Sequence, residues 1–167
     1  KVLSKKQGNN FREQFFESTP FYLDPYIFDM KKKFTPTTKL DSISLGLTLI
    51  AVFYGSELVQ TPSFVYFNIM SLVAGHNTLK LIHDARFAGL KKYFKISDEY
   101  LEHMFVPKRR GQIFITVDFE SAAETFKLFN GVLLALVHPD VSKRIYVKDG
   151  AVIIHEILKH INHRSLY

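Results

Sequence analysis

The residues best suited to chemistry lie near the C-terminus, where three histidines and a glutamate occur within residues 155–163. The spacing invites comparison with the zinc-protease helix, which needs two histidines four residues apart so that both imidazoles face one metal ion. His155 and His160 are five residues apart and therefore face different sides of a helix. Glu156, His160 and His163 share one face and could ligate a metal. Histidines near a helix C-terminus are also favoured by the helix dipole and are usually solvated. We predict no metal site and no catalytic residue here, and keep a soluble metal-dependent enzyme as an alternative.

A second pair of histidines, His76 and His83, would align along one side of a helix. Such a pair could hold haem, but a single histidine also fits a membrane surface or a hydrogen-bonded core position. The sequence contains no cysteine, which excludes disulfides, thiolate metal sites and a cysteine nucleophile. No glycine-rich phosphate loop, nucleophile elbow or pair of carboxylates is recognisable. The sequence therefore predicts a non-catalytic protein without a cofactor.

The longest feature of the chain is an almost uncharged stretch, in which Glu57 is the single formal charge of residues 42–79. Two apolar runs, residues 42–58 and 63–82, lie on either side of a short polar break. A helix needs about 20 mostly apolar residues to cross a bilayer, with a range of about 17 to 25. Because backbone amides in lipid must be satisfied internally, two such runs would form an antiparallel hairpin. The pattern favours a transmembrane hairpin over residues 41–94, and a pair of buried core helices is the alternative.

Basic residues flank both runs, whereas the break between them contains no lysine or arginine. An excess of lysine and arginine marks the segments that are not carried across the membrane, so both termini would lie on the same side. In a mitochondrial inner membrane that side is the matrix. Basic side chains near a membrane gain about 1 kcal/mol each from anionic lipid such as cardiolipin. The residues in this position are Lys80, Arg86, Lys91 and Lys92.

The formal net charge of +6 could also indicate nucleic acid. Nucleic-acid binding usually concentrates basic residues in a stripe with exposed aromatic side chains. Here the basic residues are spread over flanks and loops. We therefore predict anionic lipid and other protein subunits as partners, and no nucleic acid.

Residues 1–40 have the composition of an extended arm. Prolines interrupt the segment, so a long helix is not expected. Its many aromatic side chains bury large areas, and an isolated arm cannot hide all of them on itself. We expect the arm to lie over another subunit, and the alternative is that it wraps the small domain of its own chain. The residues expected to bind the partner are Phe15, Phe16, Phe21, Tyr22, Tyr26 and Phe28.

The pattern after the two runs predicts a small α+β domain. Ser97 is expected to cap a helix that stops before Pro107, and Ser121 with Glu124 forms a capping box at the start of a later helix. The composition of residues 132–137 is compatible with a strand or with continuation of that helix. The remaining predicted elements are strands at 112–117 and 144–147, a turn at 148–150 and a last helix at 151–163.

This layout resembles small mitochondrial inner-membrane proteins that combine a two-helix hairpin with a matrix α+β domain. The resemblance is carried by the lysine-rich approach at 31–39, the hairpin at 42–82, the basic exit at 83–95 and the compact domain after it. It implies a non-catalytic accessory subunit of the respiratory chain or ATP synthase that anchors through the hairpin and bridges neighbouring subunits. An assembly factor of the same anatomy is the first alternative. The predicted fold is α+β, with an arm at 1–40, a transmembrane hairpin at 41–94 and a small domain at 95–167.

Overall fold

The computed structural model describes residues 24, 38–59, 76–107, 113–115 and 121–165. The strands form one antiparallel pair in which Val106 lies opposite Phe114. In chain order, the elements of this part of the chain are α1 (Lys39–Tyr54), α2 (Ser56–Val59), α3 (His76–Phe94), α4 (Asp98–Met104), β1 (Phe105–Pro107), β2 (Ile113–Ile115), α5 (Ala122–Leu136) and α6 (Val147–Ser165).

Helix α5 is the centre of the fold. Val132, Leu133 and Leu134 are consecutive residues that face different directions, and none of them has exposed surface. The C-terminal half of α5 is therefore apolar on all sides, and such a segment must be covered on all sides. Helices α1, α3, α4 and α6 all pack against α5, and their buried side chains join it in one hydrophobic core.

The start and the length of α5 follow from local interactions. The Ser121 hydroxyl accepts a hydrogen bond from the Glu124 N–H, and the Glu124 carboxylate accepts one from the Ser121 N–H, both at 3.1 Å. The predicted capping box is therefore confirmed. Gly131 lies inside the helix, and a Cβ there would come within 2.5 Å of the Met104 Sδ. The glycine permits the close approach of α4, and the ambiguous residues after it continue the helix through Leu136.

The prediction of a transmembrane hairpin is wrong. Of the helices in the described ranges, none combines the length and the apolar character needed to cross a membrane. Helix α1 has 16 residues and is therefore about 24 Å long, which is less than the bilayer core of about 30 Å. It ends at Gly55, whose φ of 96° breaks the helix. Its apolar face, which includes Ile43, Leu47 and Ile50, is buried in the same core as α5.

The second predicted run is described only from His76 onward. From there α3 continues to Phe94 and carries lysine, arginine and aspartate side chains along its length. The predicted inner-membrane location with both termini on the matrix side depended on the hairpin, and it is wrong for the same reason.

The prediction of an α+β fold is also wrong, because the described part of the chain is a helical assembly with one pair of three-residue strands. Helix α4 and the strand residues 113–115 agree with the sequence pattern. Residues 144–146 are an irregular loop, and the predicted turn at 148–150 is the first turn of α6. The loop is held at the end of α5 because the Ile145 N–H donates to the Ala135 carbonyl at 3.2 Å.

Candidate functional site

A groove of about 650 Å³ lies where α1, α3, α4, α5 and the loop before α6 meet. Its volume is within the range of about 300 to 1,000 Å³ that is typical of ligand sites. Four buried apolar side chains contribute to its lining: Phe87, Leu101, Ala135 and Ile145. The groove opens to solvent, so it can accept a side chain or a short segment of another molecule.

Charged side chains of both signs surround these apolar residues. Asp98 and Glu102 come from α4, and Asp149 comes from α6. The Lys91 ammonium donates to Asp98 at 2.6 Å, and this hydrogen bond lowers the pKa of Asp98. Lys143 lies 3.7 Å from Glu102, and both side chains are more than half exposed, so this ion pair is weak.

Lys39 is a half-buried cation of the groove. Its ammonium donates to the backbone carbonyls of Val141 at 3.1 Å and Ser142 at 3.3 Å. It also lies 4.9 Å from the centre of the Tyr146 ring, a cation–π distance. Desolvation, followed by the nearby Arg144 charge, lowers the pKa of Lys39. In the part of the chain that the structure describes, no carboxylate lies within ion-pair distance of this ammonium.

Arg144 is the most deeply buried charged side chain of the groove, with 1% of its surface exposed. Its Nε donates to the His138 carbonyl at 2.9 Å, and its Nη1 donates to the Lys39 carbonyl at 3.1 Å. Nη1 also forms an ion pair with Asp24, which is 2% exposed. Nη2 makes no hydrogen bond to any described residue. A guanidinium normally binds a carboxylate with two parallel hydrogen bonds, so one of the two terminal nitrogen atoms of Arg144 is unused by the described residues.

The loop that holds Arg144 is ordered by its own side chains. The Asp140 carboxylate accepts from the Ser142 N–H at 2.8 Å and from the Ser142 hydroxyl at 2.6 Å. These bonds, the hydroxyl first, lower the pKa of Asp140. The Asp140 N–H donates to the Nδ1 of His138 at 3.0 Å. The turn therefore fixes the His138 carbonyl that accepts from the Arg144 Nε.

A buried histidine and arginine on α3 extend this basic region. The Arg86 Nη2 donates to the Nδ1 of His83 at 3.0 Å, and the two side chains are 8% and 3% exposed. Because a guanidinium can only donate, the neutral His83 ring carries its proton on Nε2. Burial first, and then the charges of Arg86 and Arg144, hold the pKa of His83 well below its ordinary value, although the Val137 backbone opposes the shift. His83 is therefore neutral at pH 7.

His138 connects the loop to α3. Its ring packs against the Phe87 ring with centroids 4.9 Å apart. Burial lowers the pKa of His138, with Asp140 opposing the shift. His138 thus belongs to the groove as a neutral aromatic ring at pH 7.

The four residues predicted to contact lipid do not share one surface. Arg86 is buried against His83, and Lys91 is paired with Asp98. Lys80 and Lys92 are exposed, but they lie about 18 Å apart along α3. Lipid contact by the four residues stays a prediction.

The predicted metal-ligand trio is described only in part. The Glu156 carboxylate is exposed and accepts from Lys159 at 2.9 Å, which lowers the pKa of Glu156. The side chain of His163 lies outside the described residues. Where side chains are described, no three histidine, aspartate or glutamate residues are grouped as a metal ion requires.

The arm residues predicted to bind a partner, Phe15 to Phe28, lie outside the described residues. Asp24 is the described residue of this segment, and it is docked on Arg144 of its own chain.

Sequence reasoning missed the residues that build the groove. The sequence pattern predicts a strand that begins at Arg144, and the one available signal for a site is an arginine at the start of an apolar run. Asp24 and Arg144 are separated by 120 positions, and no local pattern relates residues at that distance.

The sequence matches no protein-family model, no curated protein and no solved structure.

Proposed function

We propose that this chain is a non-catalytic protein-binding subunit whose groove holds an acidic and apolar segment of a partner protein. The observation that carries the proposal is a groove of about 650 Å³ that combines buried apolar side chains with charges of both signs. A peptide segment offers the same combination of apolar and charged groups. The proposal keeps the predicted role of an accessory subunit and does not include a membrane anchor.

The desolvated ammonium of Lys39 favours an acidic segment. Asp98 is already neutralised by Lys91, whereas the Lys39 ammonium is held by carbonyl oxygens and by the Tyr146 ring. A partner carboxylate would supply a counter-ion for this desolvated ammonium. An apolar side chain beside that carboxylate would bury surface against Phe87 and Leu101, at about 25 cal/mol per Å².

The first experiment locates the binding surface. The photo-crosslinking residue benzoylphenylalanine is placed at position 146, in the groove, or at position 152, on the exposed face of α6. Tyr146 is 39% exposed and Val152 is 64% exposed, so both sites are accessible. We expect a discrete cross-linked protein from position 146 that position 152 does not give. The same set of adducts from both positions would overturn the proposal.

A matched pair of variants then tests the chemistry with the captured partner. Lys143 and Lys159 are each paired with a glutamate, and their side chains are 57% and 55% exposed. Lys143→Glu places a negative charge in the groove and is expected to weaken binding at least tenfold, while Lys159→Glu leaves it unchanged. Equal affinities for the two variants would contradict the proposed site. A permanent subunit should copurify one-to-one with its complex, whereas an assembly factor should be sub-stoichiometric.

A further inference from the structure

The ion pair between Asp24 and Arg144 has the geometry of a site that is only partly used. Both side chains are almost completely buried. The Asp24 carboxylate binds the Nη1 of Arg144, and the Nη2 of Arg144 is left without a hydrogen bond to the described residues. A buried donor without a partner is costly, and such groups are uncommon in folded proteins. An arginine that is this deeply buried and purely structural would be expected to form hydrogen bonds with both of its terminal nitrogen atoms.

We propose that Arg144 is the carboxylate anchor of the groove, and that the partner's acidic side chain binds it by exchange with Asp24. The inference rests on the proposed function, and it adds the ligand chemistry and the group that competes with the ligand. Asp24 is the resident carboxylate of the unliganded chain. An incoming carboxylate that takes both Nη1 and Nη2 replaces one hydrogen bond with two.

Exchange is required because Arg144 is not accessible while its present contacts persist. Arg144 lines the groove, but 1% of its surface is exposed. A ligand carboxylate therefore reaches the guanidinium only when the group bound to it leaves. The buried cation has a carboxylate counter-ion both before and after the exchange, so neither end state carries the cost of an unpaired buried charge.

The attachment of Asp24 to the same chain makes it an effective competitor. A tethered group acts at an effective concentration that reaches the millimolar range. A partner must therefore overcome Asp24, and removal of the Asp24 charge should raise the affinity for any carboxylate that uses Arg144.

The test uses the full chain and a fluorescent synthetic peptide of residues 20–28, in which Asp24 is the acidic residue. Fluorescence anisotropy measures its binding to the wild-type chain, to Asp24→Asn and to Glu156→Gln, which removes an exposed carboxylate instead. A control peptide carries Asn in place of Asp24. We expect Asp24→Asn to bind the peptide at least tenfold more tightly than the wild type, Glu156→Gln to match the wild type, and the control peptide to bind at least tenfold more weakly.

A second measurement detects peptide binding even if Asp24→Asn is less stable than the wild type. Saturating peptide should raise the melting temperature of Asp24→Asn, and the control peptide should not. Equal affinities of the wild type and Asp24→Asn, or equal binding of the two peptides, would overturn the exchange. If the cross-linked partner still depends on Lys143 in that case, the proposed function stands and the exchange alone is wrong. If position 146 also captures no partner, both are wrong.

Discussion

Replacement of Gly46 by alanine tests most directly whether α1 is packed against protein. A Cβ at this position would lie 2.5 Å from Cγ1 of Val137, 2.9 Å from Cβ of Leu136 and 3.4 Å from the Leu133 carbonyl oxygen. Val137 and Leu136 are almost fully buried, and the Cβ of Leu136 is fixed by its own backbone. The added methyl group must therefore displace α1 from the end of α5.

The expected magnitude is the difference between two opposing effects. Overpacking of a close-packed core costs about 1 to 3 kcal/mol. Alanine in place of glycine inside a helix stabilises it by about 1 kcal/mol. Gly46→Ala should therefore lower the free energy of unfolding by about 1 kcal/mol, and by up to about 2 kcal/mol if α1 cannot shift.

Gly89 supplies the matched control. It lies inside α3 and is exposed, and a Cβ there would meet nothing within 4 Å. Gly89→Ala should raise the free energy of unfolding by about 1 kcal/mol through helix propensity alone. Chemical denaturation measures both variants, and each kcal/mol corresponds to about 2 to 4 °C in melting temperature for a chain of this size. If Gly46→Ala stabilises the protein as much as Gly89→Ala does, α1 does not pack on α5 as described.

Three further variants test other parts of the structure. Asp24→Asn should lower the free energy of unfolding by about 3 kcal/mol at pH 7, because it leaves the buried Arg144 without a carboxylate. His83 has a pKa well below the ordinary value in the folded chain, so the unfolded chain binds protons first as the pH falls. The stability that His83 contributes is complete above about pH 6.5 and is lost as the pH falls from there toward the folded pKa, with a slope of up to about 1.4 kcal/mol per pH unit. The free energy of unfolding of His83→Gln, measured by denaturation between pH 5 and 8, should therefore depend less on pH than that of the wild type. Ser121→Ala should cost about 1 kcal/mol, measured by chemical denaturation, because it removes the cap of α5.

Each control substitution is made either at an exposed residue or at the same position as the variant that it controls. Lys159→Gln breaks a surface ion pair and should not change stability measurably, so an equally small effect of Asp24→Asn would contradict the buried pair. An unchanged pH dependence in His83→Gln would show that another group dominates this range, for which His138 is the first candidate because burial lowers its pKa too. Ser121→Thr retains a hydroxyl, and it should recover most of what Ser121→Ala loses if the cap is real.

Local features were predicted correctly where neighbouring residues alone decide them. The Ser121 and Glu124 capping box involves groups three residues apart, and both hydrogen bonds are present. Ser97 likewise accepts from the Tyr100 N–H at 3.1 Å at the start of α4. Such short-range bonds form in the same way in any fold that contains the helix.

The prediction of a transmembrane hairpin was wrong because hydropathy does not show whether lipid or protein surrounds an apolar run. Ile43, Leu47 and Ile50 would suit lipid or a protein core equally well, and only their contact with α5 shows that protein covers them. The strand predicted around Arg144 failed for a related reason. Its pattern is compatible with a strand, but the Ile145 N–H is paired with Ala135 at the end of a helix rather than with another strand.

The sequence by itself determined where α4 and α5 begin, which faces are apolar and that no cysteine chemistry is present, since these properties depend on composition and on residues a few positions apart. Tertiary structure decided that α5 is the central helix and that Arg144 meets Asp24 across 120 positions. The physical reason is that burial and ion pairing depend on which segments are neighbours in space. That choice is made by the packing of the whole chain around α5, where Gly46 and Gly131 admit the close approach of α1 and α4.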